Sequence, residues 1–286
     1  MDLFFDLLRS VIYGVIEGIT EWLPISSTGH MILAEQVLKF SLSAEFMEMF
    51  RVVIQLGAIL AVVVLYFKKL WPFCMDNGRD SGLAKFIRWP VMRLWFKIIV
   101  ACLPAAVLGL LLDDWMDAHL YNSVVVAIML IVYGIAFILI ERRPRVPTTT
   151  KLSRITYKQA IIVGAWQVLA LIPGTSRSGA TIIGGLLCGM SRACASQFTF
   201  FLAIPVMAGA SGLKLVKFLA KGGVFTLGEV GTLLVGCIVA FVVSILAIRF
   251  LMDYVKKHTF TVFGWYRIAL GILVLGIWAL QSFVLA

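Results

Sequence analysis

Residues 14–30 read Gly14-Val-Ile-Glu17-Gly-Ile-Thr-Glu21-Trp-Leu-Pro24-Ile-Ser26-Ser27-Thr28-Gly29-His30, so that carboxylates, hydroxyl groups and a histidine interrupt an apolar region. A second stretch follows the same pattern and reads Gly164-Ala-Trp-Gln167-Val-Leu-Ala-Leu-Ile-Pro173-Gly174-Thr175-Ser176-Arg177-Ser178-Gly179. Glu17 aligns with Gln167 and, after a shift of one residue, Pro24 aligns with Pro173. Ionisable groups are unfavourable at membrane depth, so the two stretches predict a functional site built from duplicated broken helices.

The composition of the whole chain is that of a polytopic membrane protein. Hydrophobic residues make up 61% of the chain and charged residues 14%, and the mean hydropathy is +1.00. The length of 286 residues accommodates roughly six to eight spans of about 20 residues each. We therefore expect a single membrane domain over residues 1–286, without a separate soluble domain. The formal charge of +10 is attributed to cytoplasmic loops rather than to nucleic-acid binding.

Hydrophobic segments predict six membrane spans, at about 46–67, 97–113, 122–141, 198–213, 229–249 and 263–285. Two further apolar segments, 10–36 and 157–189, are interrupted by proline, glycine, serine and charge. Irregular backbone at membrane depth is stable only inside protein, so each is predicted to be a re-entrant helix–loop–helix. The expected fold is all-α, with an inverted repeat: each half, about 1–141 and about 157–286, has one re-entrant hairpin and three transmembrane helices.

Loop charges predict the orientation of these segments. The loops at 68–97 and 142–158 are basic and are assigned to the cytoplasm, whereas the acidic loop at 113–121 is assigned to the outside. Three spans per half is an odd number, so the second half enters from the opposite side, in agreement with the loop charges. The first hairpin is thus expected to enter from outside. One loop disagrees, because 214–228 is basic and falls on the outer side.

The first stretch contains a carboxylate pair. Glu17 and Glu21 are four residues apart, so a helix would place them on one face. Two adjacent carboxylates in a low dielectric do not both ionise without compensation. A divalent cation such as Mg²⁺ or Ca²⁺, a shared proton or a nearby arginine would supply it. The apolar flanks argue against an ordinary solvated helix face.

Both stretches also predict an anion site. The runs Ser26-Ser27-Thr28-Gly29 and Gly174-Thr175-Ser176-Arg177-Ser178-Gly179 each follow a proline and precede an apolar segment. Such a loop leads into a helix N-terminus, where backbone N–H groups attract anions. Arg177 adds a planar guanidinium suited to phosphate. Capping of the helix would account for one hydroxyl in each run but not for the remainder.

Other polar residues of the apolar segments receive weaker assignments. His30 is a candidate general acid or base, with a hydrogen-bonded core residue as the alternative. Arg51 and Arg267 are interpreted as structural or ion-pairing residues, and Glu48 is the expected partner of Arg51. A phosphate site within the membrane predicts a lipid ligand with a phosphate or pyrophosphate head. Positioning and charge neutralisation at such a site suit phosphoanhydride hydrolysis.

These motifs resemble those of the bacterial undecaprenyl-pyrophosphate phosphatases, also called bacitracin-resistance proteins. The family motif E/Q-x-x-x-E corresponds to Glu17–Glu21, P-x-S-S-T-G-H to Pro24–His30, and P-G-x-S-R-S-x-x-T to Pro173–Thr181. The resemblance covers essentially the whole chain. It implies removal of the terminal phosphate from undecaprenyl pyrophosphate, which recycles the carrier lipid for cell-wall synthesis and confers bacitracin resistance.

The resemblance also implies a divalent cation and a multi-pass protein of the bacterial cytoplasmic membrane whose site opens to its outer, periplasmic side. The implied catalytic residues are Glu17, Glu21, Ser27, His30 and Arg177, with Glu17 and Glu21 holding the metal or managing protons. The implied substrate-binding residues are Ser26, Thr28, Gly174, Thr175, Ser176, Ser178, Gly179 and Thr181. Ser27, His30 or water remains open as the nucleophile, and our hypothesis is that Ser27 attacks with help from His30.

Two alternatives to a phosphatase are a transporter or flippase of the polyprenyl phosphate lipid, which would use the same anion site, and a structural scaffold. Broken-helix repeats are typical of transporters, but a transporter does not need a carboxylate pair, serine and histidine together. A scaffold would not need buried ionisable groups in both stretches. Gly236 and other small residues in the spans would allow contact between two protomers, so a homodimer is a candidate assembly.

Overall fold

The computed structural model describes residues 2–38, 40–75, 78, 82–143 and 146–284, so parts of both basic loops and the chain ends of the expected domain lie outside the described residues. Within those ranges the chain forms twelve α-helices and three short 3₁₀ turns. The helices are α1 (Asp2–Thr20), α2 (Ser27–Val37), α3 (Ala44–Val53), α4 (Gln55–Leu65), α5 (Phe67–Leu70), α6 (Trp89–His119), α7 (Ser123–Glu141), α8 (Tyr157–Val168), α9 (Arg177–Leu187), α10 (Arg192–Ala220), α11 (Leu227–Lys257) and α12 (Thr261–Val284).

Six helical segments of the described chain are long and apolar enough to cross a membrane, as the sequence predicts. They are Ala44–Leu65, Trp89–Leu112, Ser123–Glu141, Arg192–Ala220, Leu227–Lys257 and Thr261–Ser282. Large apolar side chains on them are exposed, such as Leu110 at 71% and Leu111 at 73%. Exposed leucines in these segments suit contact with lipid chains. The all-α membrane fold is therefore confirmed.

The helices extend further than the apolar runs, which corrects several predicted boundaries. Helix α6 begins at Trp89 rather than near 97 and continues through the acidic segment to His119, so most of that segment is helical rather than a loop. Lys214 and Lys217 likewise lie within α10. An apolar run marks only the part of a helix that suits hydrocarbon, and polar residues can continue the helix beyond that depth.

Both interrupted segments form a helix, a break and a second helix. Residues 21–26 separate α1 from α2, and residues 169–176, which include a 3₁₀ turn, separate α8 from α9. Each break contains a proline, Pro24 or Pro173, which lacks the N–H needed to continue a helix. We call residues 21–26 the first break and residues 169–176 the second break.

Close packing of α1 against α11 holds the first break. A Cβ added to Gly14 would lie 2.8 Å from the carbonyl oxygen of Gly236, so only glycine allows this approach. Ser10 Oγ donates to the Thr232 carbonyl at 2.6 Å along the same seam. Gly236 is therefore used inside the protomer, and it no longer supports the predicted contact between two protomers.

The second break is held in the same way. A Cβ on Gly164 of α8 would lie 2.4 Å from the carbonyl oxygen of Ala101 on α6. Gly14 and Gly164 align in the sequence, and each seats the first helix of its segment against a long helix. Helices α7 and α12 also pack closely, since a Cβ on Gly134 would lie 2.7 Å from the Gly264 carbonyl. This pairing brings residues 266 and 267 of α12 to the two breaks.

Candidate active site

One serine precedes each of the helices α2 and α9, and the two serines have the same unusual backbone conformation. Ser26 has φ 73° and Ser176 has φ 69°, and no other non-glycine residue of the described chain has a positive φ. This region is unfavourable for residues with a Cβ and occurs mainly where function requires it. Ser176 Oγ accepts a hydrogen bond from the Gly179 N–H at 3.2 Å. The buried Ser26 Oγ has no hydrogen-bond partner among the described residues, so capping accounts for Ser176 but not for Ser26.

A buried ion pair joins the first break to the first residue of α9. Arg177 Nη2 donates to Glu21 Oε1 at 2.9 Å, and the exposed fractions of the two side chains are 12% and 9%. Arg177 Nη1 donates to the Thr199 carbonyl at 2.9 Å. Its Nε is buried and has no partner in the described part of the chain. The guanidinium is thus held at Nη1 and Nη2, and its Nε–H is left for a ligand.

The second carboxylate, Glu17, lies one helical turn before Glu21. The Glu21 N–H donates to the Glu17 carbonyl at 3.0 Å, so a helical hydrogen bond links the last turn of α1 to the first residue of the break and keeps the two carboxylates on one side, as predicted. Glu17 is 1% exposed, and its Oε1 has no hydrogen-bond partner within the described ranges. A buried oxygen without a partner calls for a proton or a cation.

Ser27 hydrogen bonds to Glu21 rather than to His30. Its Oγ donates to Glu21 Oε2 at 3.3 Å, so the two oxygens of Glu21 accept from Arg177 and Ser27 respectively. A carboxylate in this position is placed to accept the serine proton. Ser27 itself is half-buried at the first residue of α2.

The ring of His30 faces α12. Nδ1 lies 2.7 Å from the Ser26 carbonyl oxygen, and Nε2 lies 2.7 Å from the Tyr266 hydroxyl. The rings of His30 and Tyr266 stack with an interplanar angle of 9°. With both nitrogens engaged in this way, His30 is better placed to hold the first break than to assist Ser27, and Glu21 takes the assisting position in our hypothesis.

Hydroxyl groups of the second break and α9 surround Arg177. Ser178 is buried, and its Oγ lies 3.1 Å from Ser176 Oγ. Thr181 Oγ1 donates to the Arg177 carbonyl at 2.8 Å and accepts from Thr199 Oγ1 at 2.9 Å. Thr181 therefore supports the turn that carries Arg177, whereas the resemblance implied direct contact with substrate.

Gly174, Thr175 and Gly179 approach Arg267. The carbonyl oxygens of Gly174 and Thr175 accept from Arg267 Nη2 at 2.9 and 2.8 Å. A Cβ on Gly179 would lie 3.1 Å from Arg267 Nη1, so glycine leaves room for the guanidinium. The Thr175 hydroxyl is buried without a partner in the described chain. Thr28 lies half-buried in the first turn of α2.

Sequence reasoning missed or misassigned several residues near the site. Thr199 was missed because it lies within an apolar span, where one hydroxyl is a weak signal. Gln167 was noted only as the counterpart of Glu17, but it is 1% exposed and neither amide atom has a partner among the described residues.

The expected pairing of Glu48 with Arg51 is wrong: Arg51 pairs with Glu35, and Glu48 pairs with Lys214 at 2.7 Å. Contacts between helices overrode the short-range i,i+3 pairing in that case.

Comparison with known proteins agrees with the motifs. The family model described as bacitracin resistance protein BacA matches residues 10–273. A protein of Enterococcus faecalis named undecaprenyl-diphosphatase is 61% identical over 278 residues, which cover 96% of this chain and 99% of that protein. Proteins of the same name from Streptococcus thermophilus and Desulfitobacterium hafniense are 57% and 56% identical; the matches cover 94% of this chain and 92% and 95% of those proteins.

Proposed function

Since the chain belongs to the bacitracin resistance protein BacA family, we propose that it hydrolyses undecaprenyl pyrophosphate to undecaprenyl phosphate and inorganic phosphate. This activity would recycle the carrier lipid for cell-wall synthesis and confer resistance to bacitracin. The observation that carries the proposal is the joint contact of Arg177 and Ser27 with the Glu21 carboxylate. A clamp for the substrate, a nucleophile and a proton acceptor are thereby brought together from two breaks that lie far apart in the sequence.

We place α1–α2 and α8–α9 as re-entrant hairpins of an inverted repeat in the bacterial cytoplasmic membrane. The matched conformations of Ser26 and Ser176 support this arrangement, as does the equivalent packing of Gly14 and Gly164. With basic loops in the cytoplasm, the first hairpin enters from outside and the site opens to that side. The polyprenyl chain then remains in the lipid while its diphosphate reaches the breaks.

The diphosphate binds between the N-termini of α2 and α9. Both helices are 11 residues long and have no acidic residue in their first turns, so the positive ends of their dipoles attract an anion. Arg177 Nε and the hydroxyls of Ser26 and Thr175 lack partners in the described chain, and they supply further donors. Such fixed donors stabilise the charge that develops on the phosphoryl oxygens during transfer.

In the proposed reaction, Ser27 Oγ attacks the terminal phosphorus while Glu21 accepts its proton. The bond between that phosphorus and the bridging oxygen breaks, and undecaprenyl phosphate leaves with the electron pair. The proton on Glu21 then passes to the departing undecaprenyl phosphate. Water attacks the phosphoserine while Glu21 accepts a proton from it; the bond between Ser27 Oγ and phosphorus breaks, and Glu21 returns the proton to Ser27 Oγ as inorganic phosphate leaves. Arg177 holds the phosphoryl oxygens through both steps.

We propose that a divalent cation binds beside Glu17. Hard cations prefer carboxylate and phosphate oxygens, and Mg²⁺ commonly takes one or two carboxylates together with substrate phosphates. Glu17 Oε1 is buried without a partner in the described residues, whereas Glu21 is already engaged by Arg177 and Ser27. We therefore assign Glu17 as the main protein ligand, with Glu21 at the edge of the site. When bound, the cation would neutralise charge on the diphosphate.

Phosphate release from undecaprenyl pyrophosphate by the detergent-purified protein tests the proposal. Wild type is compared with Arg177→Ala and Glu21→Ala, each with and without chelator. Arg249→Ala is the matched control, because Arg249 is exposed on α11. Release that is lost in both site variants and on chelation supports a metal-dependent phosphatase. Wild type that binds the lipid through Arg177 but releases no phosphate would instead favour the transporter or flippase.

A further inference from the structure

Arg267 of α12 binds both breaks at once. Its guanidinium is fully buried. Nη1 donates to the Pro24 carbonyl of the first break at 3.2 Å, while Nη2 donates to the Gly174 and Thr175 carbonyls of the second break at 2.9 and 2.8 Å. One side chain thus sets the separation between two segments that are about half the chain apart in sequence.

The remaining contacts of Arg267 fix its guanidinium from the side of α7. Nε and Nη2 each lie 3.5 Å from carbonyl oxygens of that helix, at Leu130 and Met129. The guanidinium carbon lies 5.5 Å from the centroid of the Tyr133 ring, within the range of a cation–π contact. Within the described chain, no carboxylate forms an ion pair with Arg267.

Stability alone does not account for an arginine in this position. Burying a cation without a counter-ion is unfavourable, and carbonyl dipoles offset that cost only in part. An apolar side chain of similar volume would pack without this penalty. A buried charge at membrane depth is therefore better explained by a role in the site.

Tyr266, which precedes Arg267 on α12, contributes to holding the first break. The Tyr266 hydroxyl forms a hydrogen bond with His30 Nε2, and His30 Nδ1 forms a hydrogen bond with the Ser26 carbonyl. Glu21 lies three residues before Pro24, and Arg177 lies two residues after Thr175. The alignment of Glu21 with Arg177 therefore depends on the two short segments that Arg267 holds.

We propose that Arg267 is a positioning residue for the phosphatase reaction, an inference that rests on the proposed function. It holds the first and second breaks at the separation that lets Ser27, Glu21 and Arg177 act on one phosphate. Its charge also adds positive potential to the site without contact with the substrate. A double-mutant cycle with Arg177 tests this role, because residues that act through one another have non-additive effects.

The experiment compares Arg267→Lys, Arg177→Lys and the double variant for kcat/KM of phosphate release. Arg249→Lys is the control for the chemical change. Lysine keeps the charge at 267 but has no planar fork to span both breaks. We expect Arg267→Lys to elute and melt as wild type does while kcat/KM falls about 100-fold, the loss typical of a misplacement near 1 Å. When Arg177→Lys is already present, we expect Arg267→Lys to lower kcat/KM by less than about tenfold.

Wild-type kcat/KM in Arg267→Lys, or losses that multiply fully in the double variant, would overturn the positioning role. If Arg267→Lys aggregates during purification, Arg267→Gln takes its place in the same cycle, because glutamine keeps two N–H donors without the charge. Absence of phosphate release from wild type would refute the proposed function itself. That outcome is distinct from a fully active Arg267→Lys, which would refute only this inference.

Discussion

Arg177 Nη2 lies 2.9 Å from Glu21 Oε1, although 156 residues separate the two in the chain. The contact joins the first break to the start of α9, so the site needs residues from both interrupted segments. The contact affects both partners. Glu21 orients the Arg177 guanidinium, and the charge of Arg177 partly offsets the negative charge of the Glu17–Glu21 pair. Losing either partner leaves a buried charge uncompensated.

Arg177→Lys should lower kcat/KM by about 100-fold or more even though the charge is kept. A single ammonium group lacks the planar fork that holds Glu21 Oε1 and the Thr199 carbonyl at the same time. Steady-state phosphate release measures the effect, with Arg249→Lys as the control. Near-normal kcat/KM in Arg177→Lys would show that charge alone suffices and that the fixed geometry is unimportant.

Ser27→Ala should abolish the trapped phosphoenzyme. Substrate labelled in its terminal phosphate is mixed rapidly with enzyme and quenched in denaturing detergent at neutral pH, which preserves phosphoserine and phosphohistidine; label should appear on Ser27 in wild type and be absent from Ser27→Ala. Ser282→Ala is the control and should retain the label on Ser27, because Ser282 is exposed near the end of α12. Label on His30, or normal turnover by Ser27→Ala, would exclude serine as the nucleophile and leave histidine or water.

Glu17→Gln should raise the concentration of divalent cation needed for half-maximal activity by about tenfold or more. The substitution keeps the shape of the side chain but removes the charge that a hard cation prefers. Activity titrated with Mg²⁺ and with Ca²⁺ checks this expectation. Glu48→Gln is a matched control, since Glu48 pairs with Lys214 away from the two breaks. An unchanged cation requirement in Glu17→Gln would remove Glu17 from the metal assignment.

Thr199→Val should reduce activity about fivefold, as expected for a lost hydrogen bond worth about 1 kcal/mol. Valine has nearly the same shape but removes the hydroxyl that donates to Thr181 Oγ1 at 2.9 Å, next to the turn carrying Arg177. Phosphate release and thermal melting are measured together. Ser244→Ala, which removes a hydrogen bond to α1, is the control, and an equal loss of activity there would argue against a specific role for Thr199.

Gly14→Ala should destabilise the protein by about 1–3 kcal/mol, because the added methyl group would overpack the α1–α11 seam. Its Cβ would lie 2.8 Å from the Gly236 carbonyl oxygen, closer than a carbon and an oxygen normally approach. Gly212→Ala is the matched control, since a Cβ there would meet nothing within 4 Å. Thermal melting in detergent compares the two, and equal melting temperatures would contradict the close packing.

The sequence allowed prediction of those parts of the fold that depend on residues close together in the chain. Six apolar segments gave six membrane-crossing helices, and the prolines and polar residues of the two matched stretches marked both breaks. The Ser27–Glu21 contact and the position of Arg267 between the breaks depend on packing among helices distant in sequence. Arg51 illustrates the limit: spacing favoured Glu48, whereas the fold brings Glu35 to it.

The two serines of positive φ, Ser26 and Ser176, mark equivalent positions in the two breaks. Ser27 and Arg177 are each the first residue of a helix that follows a serine of positive φ. At this equivalent position one break carries a hydroxyl and the other a guanidinium. One segment alone could place either the hydroxyl or the guanidinium at this position, but not both. In the proposed reaction the equivalent position therefore supplies the nucleophile in one segment and the phosphate-binding cation in the other, so two segments of matching backbone conformation make chemically different contributions.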